Sequence, residues 1–466
     1  MPNTFAYLML LVWPLVTLLL FRKLPRERAL IWAILGGYLL LPQLVAFDFP
    51  LIPPLDKTAI ASLSAYLACV FLLGIRVPLL PENGLARVLV LILLVSPMAS
   101  ALTNGDPMIF ARSFVPGVGF HEGLSSMIGR FLELLPFFLA RRLLATELAL
   151  REILLALVVA GLAYSIPMLL EIRLSPMLNI WIYGYFQHDF IQMVRSGGFR
   201  PIVFLPHGLW VAFFAFMAIV AAAAMWRLEP ASQRTRYLFA CGYLIVVLVL
   251  CKSMAALLYA LVAVPVICVA GLRWQLRLAA FLAVIAVIYP LLRGLQIVPV
   301  NEIARQFDAV SVERADSLRF RLRNEEELLS HAAARPFFGW GPSGRNYVYD
   351  AETGRPLSTV DGLWVTVIGS AGWLGYVGYY GSLALPIVLL SRAARRQRLS
   401  RYAAPVALIL AFNLVDTLPN ATLIAFSWLI CGALLGYAEA LARGGATAGV
   451  PVTAAPGTPR PARTIL

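Results

Sequence analysis

The sequence predicts an all-α, polytopic bundle of about 12–14 membrane-spanning helices carrying one large helical loop outside the membrane. Three observations carry that prediction. Hydrophobic residues make up 61% of the chain and charged residues 13%, with a mean hydropathy of +0.81, whereas soluble domains are about a quarter charged. Apolar runs near the roughly 20 residues that cross a bilayer as helix recur at 4–21, 29–47, 59–75, 88–102, 122–139, 152–171, 205–226, 237–251, 253–271, 278–293, 371–391, 403–417 and 421–441. A single long polar segment, 294–362, interrupts them.

Taken in order, the first run has a polar start, no basic segment and no small-residue cleavage site, so it is expected to be a retained helix and not a signal peptide. The fifth run contains Arg130 and Glu133. An isolated charge there costs at least a few kcal/mol, so the two either neutralise each other across one turn or face a hydrated cavity. Ten spans with short loops fill 1–293, and the outer loop follows at 294–362. That loop opens with a polar helical stretch, Asn301 to His331, which Pro336 ends. The run Gly339-Trp340-Gly341-Pro342-Ser343-Gly344 then supplies positive-φ positions and close backbone approach. Asp361-Gly362 opens the next apolar helix, with a break at Gly369 to Gly375. The last spans occupy 363–441, and the Gly-, Ala-, Pro- and Thr-rich tail 442–466 is expected to be disordered.

Charge sets the orientation, because Lys and Arg of short loops stay on the cytoplasmic side. The loops at 22–28, 76–87, 141–151, 227–236, 273–277 and 392–401 hold 19 of them. The opposite short loops hold only Lys57, Arg112, Arg173, Arg195, Arg200 and Lys252. The first set is therefore expected to be cytoplasmic, with the tail on that same side and 294–362 outside. The net charge of +14 reflects this bias and attraction to anionic lipid headgroups, and does not point to nucleic acid. All five cysteines lie in or at the edge of spans, so no disulfide framework or CxxC metal site is expected. The four histidines lack metal-site spacing, and no cofactor is implied.

Chemistry concentrates in the outer segments. Arg314, Leu318 and Arg321 fall on one helical face, with Glu325, Glu326 and Glu327 following. Such a helix either rests on headgroups with its arginines snorkelling to phosphate, or uses Arg314, Arg319 and Arg321 to bind a phosphorylated ligand through paired charge-assisted hydrogen bonds. Upstream, Arg195-Ser-Gly-Gly-Phe-Arg200 and Pro206-His207-Gly208 bring two arginines and a histidine to the membrane surface together. His207 is open between a locally bonded helix-start residue and a functional one.

The order of these features resembles the O-antigen ligase and polymerase family of bacterial envelope proteins. The resemblance rests on Arg195 to His207, Arg314 to Arg321, the stretch Ala334-Arg335-Pro336-Phe337-Phe338-Gly339-Trp340-Gly341-Pro342-Ser343-Gly344, and Asp361 to Gly375, with motif-level support across about residues 195–375. One departure is clear. Family ligases carry His-Asn where this chain has Asp361-Gly362.

The resemblance implies transfer of a glycan from undecaprenyl pyrophosphate to an acceptor glycan or glycolipid, at the periplasmic side of the inner membrane and without metal or other cofactor. Arg195, Arg200, Arg314, Arg319 and Arg321 are then the candidates for holding pyrophosphate. Asp361 or His207 is the candidate base, with Asp361 alternatively the N-cap of its helix. Phe338 and Trp340 are candidates for stacking on sugar faces, or else interfacial anchors. The competing expectations are a transporter of lipid-linked glycan or polysaccharide, and a non-catalytic envelope scaffold.

Overall fold

The structure, a computed structural model, describes residues 1–49, 52–195, 197–295, 297 and 312–444, and side chains at 312–318 lie outside that description. The first part of the polar helix expected from Asn301, the Arg314 side chain and the tail from residue 445 therefore fall outside the described residues.

Every apolar run contains or overlaps a helix. In chain order the helices are α1 (Thr4–Lys23), α2 (Arg26–Leu40), α3 (Lys57–Leu67, continued by a wider turn to Leu72), α4 (Gly84–Leu102), α5 (Phe120–Leu143), α6 (Glu147–Leu174), the short α7 (Leu178–Tyr183), α8 (Gly208–Leu228), α9 (Ala231–Leu250), α10 (Met254–Val269), α11 (Leu272–Gly294), α12 (Val312–Ala332), α13 (Leu363–Ala393), α14 (Ala403–Asp416) and α15 (Ala425–Ala442). Among the described residues, nine are long and apolar enough to cross a membrane, and α3, α10 and α14 are shorter apolar helices. The chain is an all-α polytopic membrane protein.

Helix boundaries depart from the apolar runs where polar caps extend the helix. Asn83 accepts from Ala86 N at 3.0 Å and starts α4 before its apolar stretch, and Thr146 accepts from Ala149 N at 3.2 Å to do the same for α6. Each side chain satisfies a backbone N–H that has no partner within the helix. The second run stops short instead, because Pro42 follows Leu41, and Ala46–Phe47 (β1) pairs with Leu55–Asp56 (β2) in a small hairpin. Two further hairpins pair Met108–Ile109 (β3) with Phe114–Val115 (β4), and Val194–Arg195 (β5) with Gly198–Phe199 (β6).

Helix α8 lies at the centre, buried continuously from Val211 to Met225. Its run Ala221 to Ala224 has side chains small enough for neighbouring helices to approach closely. Around it the two ends of the bundle differ in chemistry. At one end, arginines meet carboxylates from other helices: Arg28 with Glu152 at 2.8 Å, Arg151 with Glu229 at 2.7 Å, and buried Arg141 with Glu439 at 3.1 Å. At the other end, the loops around 103–119 and 336–362 pack on one another and on helix ends, while the loop around 184–207 is tied to the ends of α6 and α9 through Glu171 and Lys252. Arg345 donates to Pro116 O at 2.7 Å, Ala111 N to Ala351 O at 3.1 Å, and Leu363 N to Thr417 O at 3.0 Å.

The break expected at Gly369 to Gly375 is present. Gly372 has φ +66° and ψ −173°, which interrupts α13. The Gly-aromatic loop fills the interruption: Trp340 N donates to Gly369 O at 2.8 Å, Gly341 N to Ser370 O at 2.9 Å, and Trp373 N to Pro336 O at 2.8 Å. A Cβ on Gly339 would lie 2.5 Å from Ser370 C, and one on Gly372 would lie 2.3 Å from Phe337 C. Glycine at both positions is what lets the two backbones touch and satisfies the groups that the broken helix exposes.

Candidate functional site

The β5–β6 hairpin brings Arg195 and Arg200 to the looped end of α8. Its register pairs Arg195 with Gly198, and Arg200 N donates to Met193 O at 2.8 Å. Arg195 is exposed, while Arg200 turns inward and is 7% exposed. The stem of Arg200 lies against Gly208, where a Cβ would come within 2.2 Å of Arg200 Cδ. Its guanidinium donates to Lys252 O at 3.1 Å, and its Nε has no partner among the described residues. Burial, then the nearby Arg195 charge, lowers its pKa to about 10, so it stays protonated at neutral pH.

His207 caps α8, with Nδ1 accepting from Leu209 N at 3.1 Å. Its ring meets His188 edge-on at 4.7 Å. Burial first, then the charges of His188, Arg200, Arg195 and Arg321, push its pKa down to about 3. The imidazole is therefore neutral at physiological pH. With Nδ1 occupied as an acceptor, Nε2 carries the proton and is a donor.

A second group reaches this place from a distant part of the chain. Arg321 on α12 pairs with Asp361 at 3.5 Å, each side chain about one-third exposed, and the Arg321 charge acts on both Arg200 and His207. Asp361 does not cap α13: the cap position is Gly362, which has no side-chain hydrogen bond. Its segment is tied to α12 instead, since Thr359 N donates to Asn324 Oδ1 at 2.9 Å.

Glu325, one turn beyond Arg321, was hidden in the sequence within the acidic run. Glu326 and Glu327 are exposed, but Glu325 is buried and its Oε2 has no partner among the described residues. Burial raises its pKa to about 7, with Arg293, Asp361, Arg321 and Trp364 as the neighbours that modulate it. The i, i+4 spacing from Arg321 was the available signal.

The structure thus brings Arg195, Arg200, His207, Arg321 and Asp361 to one end of the bundle. Arg319 is exposed on α12, two residues before Arg321, and the Arg314 side chain lies outside the described residues. Trp340 and Phe338 are engaged at the break in α13. Trp340 stacks on His331 at 4.2 Å, carries the Arg335 guanidinium 4.6 Å from its ring centre, and donates through Nε1 to His331 O at 2.9 Å. Phe338 is half-buried, and its carbonyl accepts from Ser100 Oγ.

Deeper in the bundle, Arg130 and Glu133 do pair, at 2.5 Å. Glu133 also accepts from Tyr379 Oη at 3.0 Å and Trp428 Nε1 at 2.9 Å, and it borders a cavity. The expected pairing is present, and of the two residues only Glu133 lines the cavity. Among the described residues, no group of three or more His, Cys, Asp or Glu side chains converges in a way that could hold a metal ion.

The arrangement places a buried cation, exposed cations, a neutral N–H donor and a carboxylate at the looped end of the bundle. Residues 239–380 match the family described as O-antigen ligase. No curated protein matches the chain.

Proposed function

We propose that this chain, whose residues 239–380 match the family described as O-antigen ligase, moves a glycan from undecaprenyl pyrophosphate to the hydroxyl of an acceptor glycan or glycolipid. The reaction takes place on the periplasmic side of the bacterial inner membrane and uses no metal. The observation that carries this reading is the Arg321–Asp361 pair, whose arginine is near enough for its charge to act on both Arg200 and His207, because it links an anion-binding set to a carboxylate.

In the step itself, the acceptor oxygen attacks the anomeric carbon, and the bond from that carbon to the phosphate oxygen breaks. The electron pair leaves with the pyrophosphate, and the hydroxyl proton passes to the Asp361 carboxylate, which Arg321 orients. Arg200 and Arg195, with Arg314, Arg319 and Arg321 from α12, stabilise the charge that grows on the leaving group. Arg200 is the best placed of these. Its buried guanidinium interacts more strongly with a nearby anion than an exposed one does. His207 contributes the Nε2 donor, and the base role falls to Asp361.

The test is transfer by the purified protein, using radiolabelled lipid-linked glycan and acceptor. Arg200→Ala or Arg314→Ala is expected to leave the protein inserted and folded while abolishing transfer. Asp361→Asn is expected to slow turnover by roughly 10²-fold or more with smaller change in binding of the lipid substrate. Full transfer by both arginine variants would remove the electrostatic account, and an unchanged Asp361→Asn rate would reduce that residue to an ion-pair partner.

A further inference from the structure

A cavity of about 520 Å³ lies between the end of α2, the start of α3, the middle of α5, the start of α8 and the segment joining α14 to α15. Its size is in the range of small-molecule sites. Pro206 and Trp210, both in its wall, flank His207, and the rings of His207 and Trp210 are 6.3 Å apart. The cavity therefore adjoins the residues proposed for transfer, yet none of those residues lines it.

Its polar lining is unbalanced toward acceptors. Lys57, the one cation among the described residues of the wall, spends its protons on Tyr38 O at 3.0 Å, Phe204 O at 3.1 Å and Leu41 O at 3.4 Å, which caps the end of α2. Gln43 Oε1 has no partner among the described residues. Asp56 caps α3 with a single oxygen, Oδ1, which accepts from Thr58 N and Ala59 N at 2.9 and 2.8 Å. Glu133 leaves 30% of its side chain exposed. Its charge is matched by Arg130, so a cation gains little there, and a neutral molecule rich in O–H donors fits better. Trp210 adds an apolar face.

We propose that this cavity is a saccharide-binding subsite that holds sugar residues by their hydroxyls next to the point of transfer. The proposal rests on the function proposed above. The sugars come from one of two sources, the acceptor glycan or the glycan of the lipid-linked donor, and the two share the same chemistry.

The experiment uses the full chain in nanodiscs. One ligand is the glycan released by mild acid from the source organism's own lipid-linked pool, and the other is acceptor glycan from the same cells. Binding is measured by calorimetry for wild type, Ala421→Trp, which fills the cavity from its rim, and Gln43→Leu, which removes the unpartnered acceptor. Thermal unfolding reports that each variant is folded. Ala421→Trp is expected to weaken binding of one of the two glycans at least about tenfold, and Gln43→Leu about three- to tenfold. In the transfer assay, KM for that same substrate rises while kcat holds, which identifies the source. Unchanged binding and unchanged KM for both substrates in both variants would overturn the subsite while leaving the proposed function standing. Wild-type binding that both variants weaken, without transfer by any of them, would sink the proposed function and leave the subsite.

Discussion

Of three consecutive glutamates on α12, only Glu325 turns inward, where it meets Arg321 on its own helix, Arg293 at the end of α11, Asp361 on the segment before α13 and the indole of Trp364. Tyr289 completes the surroundings, packing edge-on against Trp364 at 5.1 Å. Its folded pKa of about 7 stands above the ordinary 4.5, so between those values the folded protein binds the proton more tightly than the unfolded chain. Stability attributable to this group is therefore full below about pH 4.5, falls as pH rises through the interval, and is lost above 7. Hydrogen exchange of α12 is expected to quicken from pH 5 to 7 beyond the intrinsic rate, and Glu325→Gln is expected to flatten that dependence. Identical pH dependence in the variant would assign the effect elsewhere. Nothing in the run Glu325-Glu326-Glu327 distinguishes its members by type. Only the helical phase set by Arg321 does, and that phase matters only once α13 is known to lie alongside.

At the scale of elements, the break in α13 and the Gly-aromatic loop form one unit. The sequence announced both, through glycines 369, 372 and 375 and through glycines 339, 341 and 344, but gave no sign that each completes the other. Their contact is a set of backbone hydrogen bonds, which carry no side-chain pattern to read. The same holds for Asp361: an Asp before an apolar helix looks like a cap, and its actual partner, Arg321, lies on another helix. Gly339→Ala must place a Cβ at φ +68° and 2.5 Å from Ser370 C. It is expected to cost about 1–3 kcal/mol and to raise protease sensitivity between 333 and 361. Gly242→Ala, in α9 with nothing within 4 Å, is expected to be neutral or slightly stabilising. Limited proteolysis with a thermal melt of both variants checks the contrast.

For the whole molecule, the spans were legible because each is a continuous apolar run, and the grouping of Arg195, Arg200 and His207 because a short hairpin joins them. The arginine-rich end was legible only as charge. Its carboxylate partners, Glu152, Glu229 and Glu439, stand on other helices than their arginines, which no local spacing reveals. These pairs are unequal. Glu439→Ala leaves Arg141 buried without its counter-charge and is expected to cost about 3–5 kcal/mol, read as a lowered melting temperature in detergent. Arg28→Ala, at a half-exposed pair, is expected to cost at most about 1 kcal/mol. Comparable shifts for the two would contradict this ranking. The seam between the loop and α13 also bears on biogenesis. Residues 336–341 leave the ribosome before Gly369 to Leu374, so the strip of polypeptide that seals the gap has already been made when the discontinuous helix reaches the insertion machinery. Truncating or delaying that strip would leave bare carbonyls within a nascent membrane segment.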